Sequence, residues 1–308
     1  MMRTATARRV YPAKLLLFGE YTILVGGQAL AIPLWDFTGT WDQRTDSSLD
    51  DSLQQLCTYL MEQDALGQLP GRWLLHRLKA DLLDGCYFHS SIPAGYGLGS
   101  SGALVAALCE SYCMEGRNGV PLSLGQLRKL LAAVEAFFHG TSSGIDPLVS
   151  LLGKPLLIDG EQLRQVPMRP LYAQGPIALF LYDTSTSRQT APLVARFRQK
   201  QTTDVAFAQA VEQLKVANDT AIYAFLHGQP DELLDAWKTL SKAQLKWLPD
   251  MIPESCVALW QQGIDQALFW LKLCGAGGGG YLLGLTTNWP GTQDMLGSSR
   301  LHLIGFVQ

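Results

Sequence analysis

A glycine- and serine-rich segment between residues 91 and 103 has the composition of a loop that binds an anion. Three glycines stand at every second position, two serines follow, and an apolar run begins soon afterwards; the residues are Gly95, Gly97, Gly99, Ser100 and Ser101. Glycine lets the backbone adopt positive φ and approach a ligand closely, and the N–H groups at the start of a helix attract phosphate. The spacing fits neither of the common nucleotide-loop patterns. The segment therefore predicts either a phosphate-binding loop or a tight turn capped by serine.

Two carboxylates and a lysine elsewhere in the chain could support phosphate chemistry. Glu135 ends an apolar, periodic segment, where it would be either a solvated side chain or an oxygen ligand for Mg²⁺. Asp146 follows a small polar stretch that begins at His139, and it would either cap a helix or accept a proton from a substrate hydroxyl. Lys14 starts an apolar strand. It would either extend to solvent or pair with Asp146 and offset charge that develops on an attacking oxygen.

A second glycine-rich segment lies near the end of the chain, between two apolar stretches. Residues 275–280 contain five glycines, which is more than the turn of a β-hairpin needs. The excess predicts backbone that passes close to a ligand or to another loop. A flexible connection between strands is the alternative.

Length and composition exclude several classes of function. The chain has 308 residues, 47% of them hydrophobic and 17% charged, so it can bury a substantial core. The net charge is −3 and no segment concentrates Lys or Arg, which predicts that nucleic acid is not a partner. No apolar run is long enough to span a membrane, and none of signal-peptide length follows the basic N-terminal residues. The six cysteines lie in apolar contexts without a C-x-x-C pair, which is typical of reduced, buried thiols in a cytoplasmic protein.

Apolar periodicity alternates between helix-like and strand-like along the chain. In the first half it predicts a strand over 86–92 that enters the first glycine loop, a helix over 102–114 that leaves it, and a strong helix over 124–138. In the second half the predicted strands are 177–182, 267–274, 280–285 and 301–307, and the predicted helices are 205–226, 231–247 and 290–296. Their order along the chain is β–αα–β–β–α–β. This order is typical of α+β domains with helices on one face of a mostly antiparallel sheet. The polar segment 159–174 is the predicted domain boundary.

These segments together resemble the motifs of the GHMP-superfamily small-molecule kinases, and within that superfamily they are most similar to the mevalonate kinases. The first family motif resembles residues 12–33, with Lys14 and Glu20 in place. The phosphate-loop motif resembles residues 93–103, and the third motif resembles residues 273–280. The order and spacing of the motifs carry the resemblance across nearly the whole chain.

Two further matches point to the mevalonate kinases. One is the signature His139-Gly140-x-x-Ser143-Gly144-x-Asp146, with Glu135 eleven residues before the aspartate. The other is Arg188-Gln189-Thr190, which resembles the family's substrate-side segment. The resemblance implies a two-domain α+β fold. An N-terminal ATP-binding α/β domain with a left-handed βαβ unit would span residues 1–160, and a C-terminal ferredoxin-like domain would span residues 161–308.

The resemblance also implies roles for particular residues. The ATP phosphates would bind a set of loop residues: Pro93, Gly95, Gly97, Leu98, Gly99, Ser100 and Ser101. Mg²⁺ would bind Ser101 and Glu135. Asp146 would act on the acceptor hydroxyl, with Lys14 as its electrostatic partner. The acceptor pocket would be lined by Glu20, Tyr21, His139, Ser143, Arg188, Thr190 and Gly277.

The implied activity is ATP- and Mg²⁺-dependent phosphoryl transfer to a small alcohol, with mevalonate converted to 5-phosphomevalonate. Two positions depart from the pattern of the mevalonate kinases. Tyr21 stands where those enzymes usually carry His, and Tyr at this position is commoner among phosphomevalonate kinases. Gly102 replaces the usual Ala. The alternatives are therefore a sibling kinase that acts on phosphomevalonate or a sugar, and a non-catalytic metabolite-binding relative. The expected partner is a small-molecule substrate, without nucleic acid or membrane, and a homodimer is left open.

Overall fold

The computed structural model of the chain describes residues 9–44, 50–115, 122–186 and 190–308. Two compact units are formed from separate stretches of chain. The first unit comprises the described parts of Met1–Lys14, Ile32–Ala94 and Leu98–Lys154; the second comprises the described parts of Leu15–Ala31, Gly95–Gly97 and Pro155–Gln308. A division at residue 160, as predicted from the sequence, would assign residues 15–31 and 95–97 to the N-terminal part, whereas these units group them with the C-terminal part.

The described residues contain nine strands and ten α-helices. The strands are β1 (Tyr11–Phe18), β2 (Ala29–Gln43), β3 (Cys86–Ser90), β4 (Leu156–Asp159), β5 (Gln162–Gln165), β6 (Ile177–Asp183), β7 (Phe269–Leu273), β8 (Tyr281–Thr286) and β9 (Leu301–Val307). The helices are α1 (Asp51–Ala65), α2 (Leu75–Leu83), α3 (Ser100–Tyr112), α4 (Leu124–His139), α5 (Ile145–Leu152), α6 (Thr190–Thr203), α7 (Val205–His227), α8 (Pro230–Trp247), α9 (Glu254–Asp265) and α10 (Trp289–Leu296).

The first sheet is built around the long strand β2. Its strands neighbour one another in the order β1-β2-β4-β5, and β3 pairs with a different part of β2. The β2–β3 pairing is antiparallel, with Gly39 opposite Ser90, and so is the β2–β4 pairing, with Ala29 opposite Ile158. The first six residues of β2 are all buried, as expected where a strand is covered on both faces.

The second sheet lies entirely in the second unit and has the order β7-β8-β6-β9. All three pairings are antiparallel, and Leu181 of β6 stands opposite Leu283 on one side and His302 on the other. Helices α7 and α8 pack against each other, and α8 and α9 pack against β7. The sheet-and-helix arrangement confirms the predicted α+β class.

Three helices of the first unit surround the residues predicted to do chemistry. Helix α3 packs against both α4 and α5, and its small buried residues let neighbouring backbone approach closely. A capping box at Ser123 and Gln126 starts α4. Helix α5 begins after Gly144 and ends before Gly153, and both glycines adopt the left-handed conformation.

The ten ranges given above for the main predicted elements agree with the observed bounds to within two residues. Helices α1, α2, α5, α6 and α9 lie outside these ten ranges. The segment 159–174, predicted as the domain boundary, contains the strand β5. β5 is polar and mostly exposed and pairs only with β4, so it lacks the apolar alternation that marks a strand.

Two further expectations concern cysteines and membrane spans. All six cysteines lie in the described residues and none forms a disulfide; five are buried and Cys86 is half-buried. Among the described helices, none combines the length and the apolar character that crossing a bilayer requires.

Candidate active site

The first glycine loop leads directly into the N-terminus of α3. Gly95, Gly97 and Gly99 have φ values of 78°, 85° and 71°, a conformation that residues with a Cβ rarely adopt. Gly99 is the N-cap residue of α3, and no side chain caps the helix there. The first N–H groups of α3 are therefore available to a phosphate group, as the sequence predicts.

Leu98 follows these loop residues and belongs to the first unit. Its side chain is buried, and its carbonyl accepts a 2.8 Å hydrogen bond from the backbone N–H of Lys14 on β1. Pro93 is half-buried, and Ser100 and Ser101 occupy the first turn of α3. The loop thus joins the strand that carries Lys14 to the helix that carries Ser101.

Lys14 and Asp146 form an ion pair beside the end of the loop. Lys14 Nζ lies 2.8 Å from Asp146 Oδ1, and the lysine side chain is 8% exposed whereas the aspartate side chain is 30% exposed. The lysine is therefore fixed by burial, while the carboxylate remains accessible to a substrate. Both residues lie close to Gly99: a Cβ at this position would lie 3.3 Å from Asp146 Oδ2 and 3.4 Å from Lys14 Cβ.

Glu135 lies close to the same group of residues, on the buried face of α4. Its carboxylate accepts a 3.3 Å hydrogen bond from Ser101 Oγ and a second one from Ser142 Oγ. Burial, followed by the negative charge of Asp146, raises the pKa of Glu135 to about 7. The two serine hydroxyls and Lys14 act in the opposite direction.

The structure shows what the residues of the predicted signature, from His139 to Asp146, contact. A Cβ on Gly144 would lie 2.3 Å from the Arg128 carbonyl oxygen, so only glycine fits at the start of α5. Ser143 is exposed, and its hydroxyl accepts a hydrogen bond from the N–H of Ile145. His139 is exposed at the end of α4, where its Nε2 lies 3.1 Å from Ser101 Oγ. His139 thus lies beside the predicted metal ligand Ser101.

The donor atoms around Glu135 fit Mg²⁺. Among the described residues, no group of three or more His, Cys, Asp or Glu side chains could hold a metal ion. Mg²⁺ bound with substrate phosphates, however, uses only one or two carboxylates together with hydroxyl and water oxygens. Glu135 and Ser101 supply such oxygens. A buried carboxylate with a raised pKa is also one whose charged form a cation would favour.

Glu20, Tyr21 and Gly277 lie in the second unit. Glu20 is buried and paired with Lys272, whose Nζ lies 2.5 Å from Glu20 Oε1. Burial raises the pKa of Glu20, although the Lys272 ammonium opposes this effect. The Tyr21 hydroxyl donates a 2.6 Å hydrogen bond to the Ala276 carbonyl. A Cβ on Gly277 would lie 2.2 Å from the Met251 carbonyl oxygen.

Two predicted acceptor-side residues give less structural information. Arg188 lies outside the described residues. Thr190 is the first residue of α6, and its side chain is likewise outside the described set. Their assignment to the acceptor pocket stays a prediction.

Sequence reasoning missed two residues that the structure places at these contacts. Ser142 donates a hydrogen bond to the carboxylate of Glu135, as Ser101 does. In the sequence it is one residue of the polar stretch after His139 and has no predicted role. Lys272 is the one charged residue in β7, whose five residues are all buried. A lone lysine within an apolar strand is the signal that could have identified it, because such a charge needs a buried partner.

A family comparison matches residues 71–154 to the N-terminal domain of the GHMP kinases. Among characterised relatives, the chain is 29% identical over 209 residues to a mevalonate kinase of Thermococcus onnurineus, covering 61% of this chain and 60% of that protein. It is 26% identical over 314 residues to a mevalonate kinase of Thermococcus sibiricus, covering 89% of this chain and 87% of that protein. Several of the matched mevalonate kinases, the Thermococcus onnurineus protein among them, are covered over less of their length than the Thermococcus sibiricus protein. The chain spans about half the length of these relatives (39% to 60%).

Solved structures of three kinases share the fold. The L. major mevalonate kinase in complex with R-mevalonate aligns with a TM-score of 0.62 and 19% identity, over 94% of this chain and 90% of that one. A Streptococcus pneumoniae phosphomevalonate kinase gives 0.61 and 18%, over 96% and 97%. A Lactococcus lactis galactokinase complexed with galactose gives 0.63 and 14%, over 97% and 93%.

These findings agree with the resemblance found in the sequence motifs. Residues 71–154 match the GHMP kinase N-terminal domain, and the chain shares the fold of the three solved kinases. The resemblance predicted from the motifs is confirmed. The matched segment, residues 71–154, contains α3, α4 and α5, and therefore Ser101, Glu135 and Asp146.

Proposed function

We propose that the protein is an ATP-dependent kinase that phosphorylates the hydroxyl group of a small molecule, and that the acceptor is mevalonate. The observation that carries the proposal is the Lys14–Asp146 ion pair of 2.8 Å beside Gly99, at the start of α3. A phosphate-binding helix end next to a carboxylate that can take a proton is the minimum that phosphoryl transfer to an alcohol requires.

The loop and the start of α3 bind the phosphates of ATP in this proposal. The contacts would come from backbone N–H groups, because Gly95, Gly97 and Gly99, with positive φ and no Cβ, let a phosphate approach the backbone closely. Glu135 and Ser101 would hold Mg²⁺, which would neutralise charge on the phosphates. Burial of Glu135 reduces competition from water for this carboxylate.

Asp146 accepts the proton of the acceptor hydroxyl while the oxygen of that hydroxyl attacks the terminal phosphorus of ATP. The oxygen–phosphorus bond to the acceptor forms, the bond to the leaving ADP oxygen breaks, and the proton stays on the Asp146 carboxylate until solvent removes it. Lys14 holds that carboxylate in one orientation. Its fixed positive charge also offsets the charge that develops on the attacking oxygen.

Mevalonate is favoured as acceptor by the signature around His139 and by the names of the relatives. Phosphomevalonate and a sugar are the competing acceptors, since a phosphomevalonate kinase and a galactokinase share the fold to the same degree. An acceptor that already carries a phosphate would need Lys or Arg groups beyond Lys14 to bind it. A purely metabolite-binding role would give no reason to retain Lys14, Glu135 and Asp146 together.

The test is ADP release by the purified protein with Mg·ATP and one acceptor at a time. The panel comprises mevalonate, phosphomevalonate, galactose, homoserine and shikimate, and the Asp146→Asn variant serves as the matched control. We expect mevalonate to be turned over selectively by the wild type. Selective turnover of another panel member would overturn the acceptor and keep the kinase. Absence of turnover with all five, despite binding of ATP, would contradict the proposed activity.

A further inference from the structure

Lys272 is a fully buried charge that the proposed chemistry does not use. Its side chain is 0% exposed, and that of its partner Glu20 is 1% exposed. The ammonium donates three hydrogen bonds, to Glu20 Oε1 at 2.5 Å and to the carbonyls of Leu17 and Leu273 at 2.9 Å each. Burying an ion pair costs free energy that an apolar pair would not, so its presence at this point of the fold calls for a reason.

The pair joins the end of β1 to the start of the second glycine run, residues 275–280. Two of the partners of Lys272, Leu17 and Glu20, belong to the end of β1 and the residues after it, and the third, Leu273, precedes the run. The backbone of Gly275 lowers the pKa of Glu20, against the larger effect of burial. Tyr21, the next residue, donates its hydroxyl to the Ala276 carbonyl. The consecutive residues Glu20 and Tyr21 thus lie against the start of the run.

The glycine run depends on such external contacts for its conformation. All five of its glycines have positive φ, so no regular element fixes the backbone from within. The N–H of Gly278 donates to the Met251 carbonyl at 2.6 Å, and that of Gly280 donates to the Thr186 carbonyl at 2.6 Å. The run is therefore tied to its surroundings at its beginning, middle and end.

The far end of the run touches the nucleotide loop within the same unit. A Cβ on Gly280 would lie 2.7 Å from the Tyr96 carbonyl oxygen, and the rings of Tyr96 and Tyr281 are 5.1 Å apart. Tyr96 stands between Gly95 and Gly97, the first two positive-φ glycines of the loop. A displacement that begins at Gly275 can thus reach the phosphate-binding loop through backbone contacts alone.

We propose that Lys272 and Glu20 are positioning residues that fix the nucleotide loop through the glycine run 275–280. In this account Glu20 does not contact the acceptor, although the family resemblance places it in the acceptor pocket. The inference rests on the proposed function for its kinetic consequence only. The mechanical coupling from Lys272 to Tyr96 is a property of the second unit and can be measured without turnover.

The first experiment is amide hydrogen exchange on the full-length Lys272→Met and Glu20→Gln proteins. We expect exchange in residues 275–280 and in the peptide that covers Tyr96 to be about tenfold faster, the effect of losing one hydrogen bond to a charged group. Peptides of α4 should be unchanged. Lys238→Met is the matched control, because Lys238 pairs with Asp235 at the surface. If Lys272→Met does not fold, Glu20→Gln, which keeps size and shape, still carries the test.

Exchange that accelerates only in β1 and β7 would overturn the inference and make the pair an ordinary core contact. The second measurement separates the kinetic constants of Glu20→Gln with Mg·ATP and the acceptor. We expect the KM for Mg·ATP to rise about tenfold and the acceptor KM to stay within about threefold. The reverse pattern would return Glu20 to the acceptor pocket. If the wild type turns over no acceptor, the proposed function fails, while exchange and binding of an ATP analogue still decide the positioning role.

Discussion

Replacing Gly102 by alanine sets helix propensity against the placement of Asp146. Gly102 lies in the first turn of α3, where alanine is favoured over glycine by up to about 1 kcal/mol. A Cβ there, however, would lie 2.9 Å from both the Asp146 carbonyl carbon and the Pro147 nitrogen, and 3.0 Å from Asp146 Cβ. These are atoms of the α5 backbone or attached directly to it, so no flexible side chain can move aside.

Restoring ordinary contact distances requires α5 to move by roughly half an ångström. Overpacking of this kind costs about 1–3 kcal/mol, which outweighs the gain in propensity and leaves a net loss of about 1 kcal/mol. The shift also moves Asp146 away from its 2.8 Å contact with Lys14. Because a misplacement of 1 Å costs about 10²-fold in rate, half of that displacement predicts a kcat lowered about tenfold.

The assay combines steady-state kinetics with thermal denaturation. We expect Gly102→Ala to lower kcat about tenfold and to lower Tm by about 3 °C. Gly125→Ala is the matched control: Gly125 lies in the first turn of α4, and a Cβ there would meet nothing within 4 Å. The control should gain stability and keep its activity. A Gly102→Ala protein with unchanged kcat and raised Tm would refute the packing argument.

Two further predictions concern the carboxylates. Asp146→Asn should lower turnover by at least ~10²-fold, the scale of lost acid–base assistance, while ATP binding measured by titration stays near wild type; normal turnover would remove Asp146 from the mechanism. Glu135→Gln should raise the Mg²⁺ concentration needed for half-maximal activity, and an unchanged requirement would exclude Glu135 as a ligand. Since the pKa of Glu135 is raised from 4.5 to about 7, the folded protein binds this proton more tightly than the unfolded chain does. Metal-free wild type should therefore lose stability as pH rises from 4.5 to 7, by up to about 3 kcal/mol from this group; denaturant unfolding of Glu135→Gln should show a flatter slope, and an equal slope would contradict the burial argument.

Elements with strong local signals could be predicted from the sequence. Helix α4 has apolar residues at helical spacing and a capping box at Ser123, and the glycine loop before α3 can be recognised as a loop from its composition alone. The side chains of Lys14, Glu135 and Asp146 were predicted from residue type and motif order. The pairing of Lys14 with Asp146 was predicted as one of two alternatives, and the structure shows it. The hydrogen bond from Ser142 to Glu135 was not predicted, because which side chains meet is decided by the fold.

The elements that the sequence did not reveal depend on tertiary contacts. Helix α9 contains Gly263, which weakens helix propensity, yet a Cβ there would lie 2.3 Å from the Phe269 ring, so close packing requires the glycine. Helix α6 is largely polar, and Phe197 is its one fully buried side chain among those described. Helix α5 is only eight residues long, too short for a periodic signal.

The discontinuous second unit imposes an order on folding. Glu20 and Lys272 are 252 residues apart, and Tyr21 and Ala276 are 255 apart. During synthesis, Glu20 and Tyr21 must therefore wait for residues 272–276 before these partners exist, whereas the first unit has all of its residues once Lys154 has emerged. Long loops close slowly, so we expect the segment around Glu20 to be the last to acquire its protection. If residues 1–160 and 161–308 were expressed separately, the second unit would be divided between them, and neither fragment would contain all of that unit.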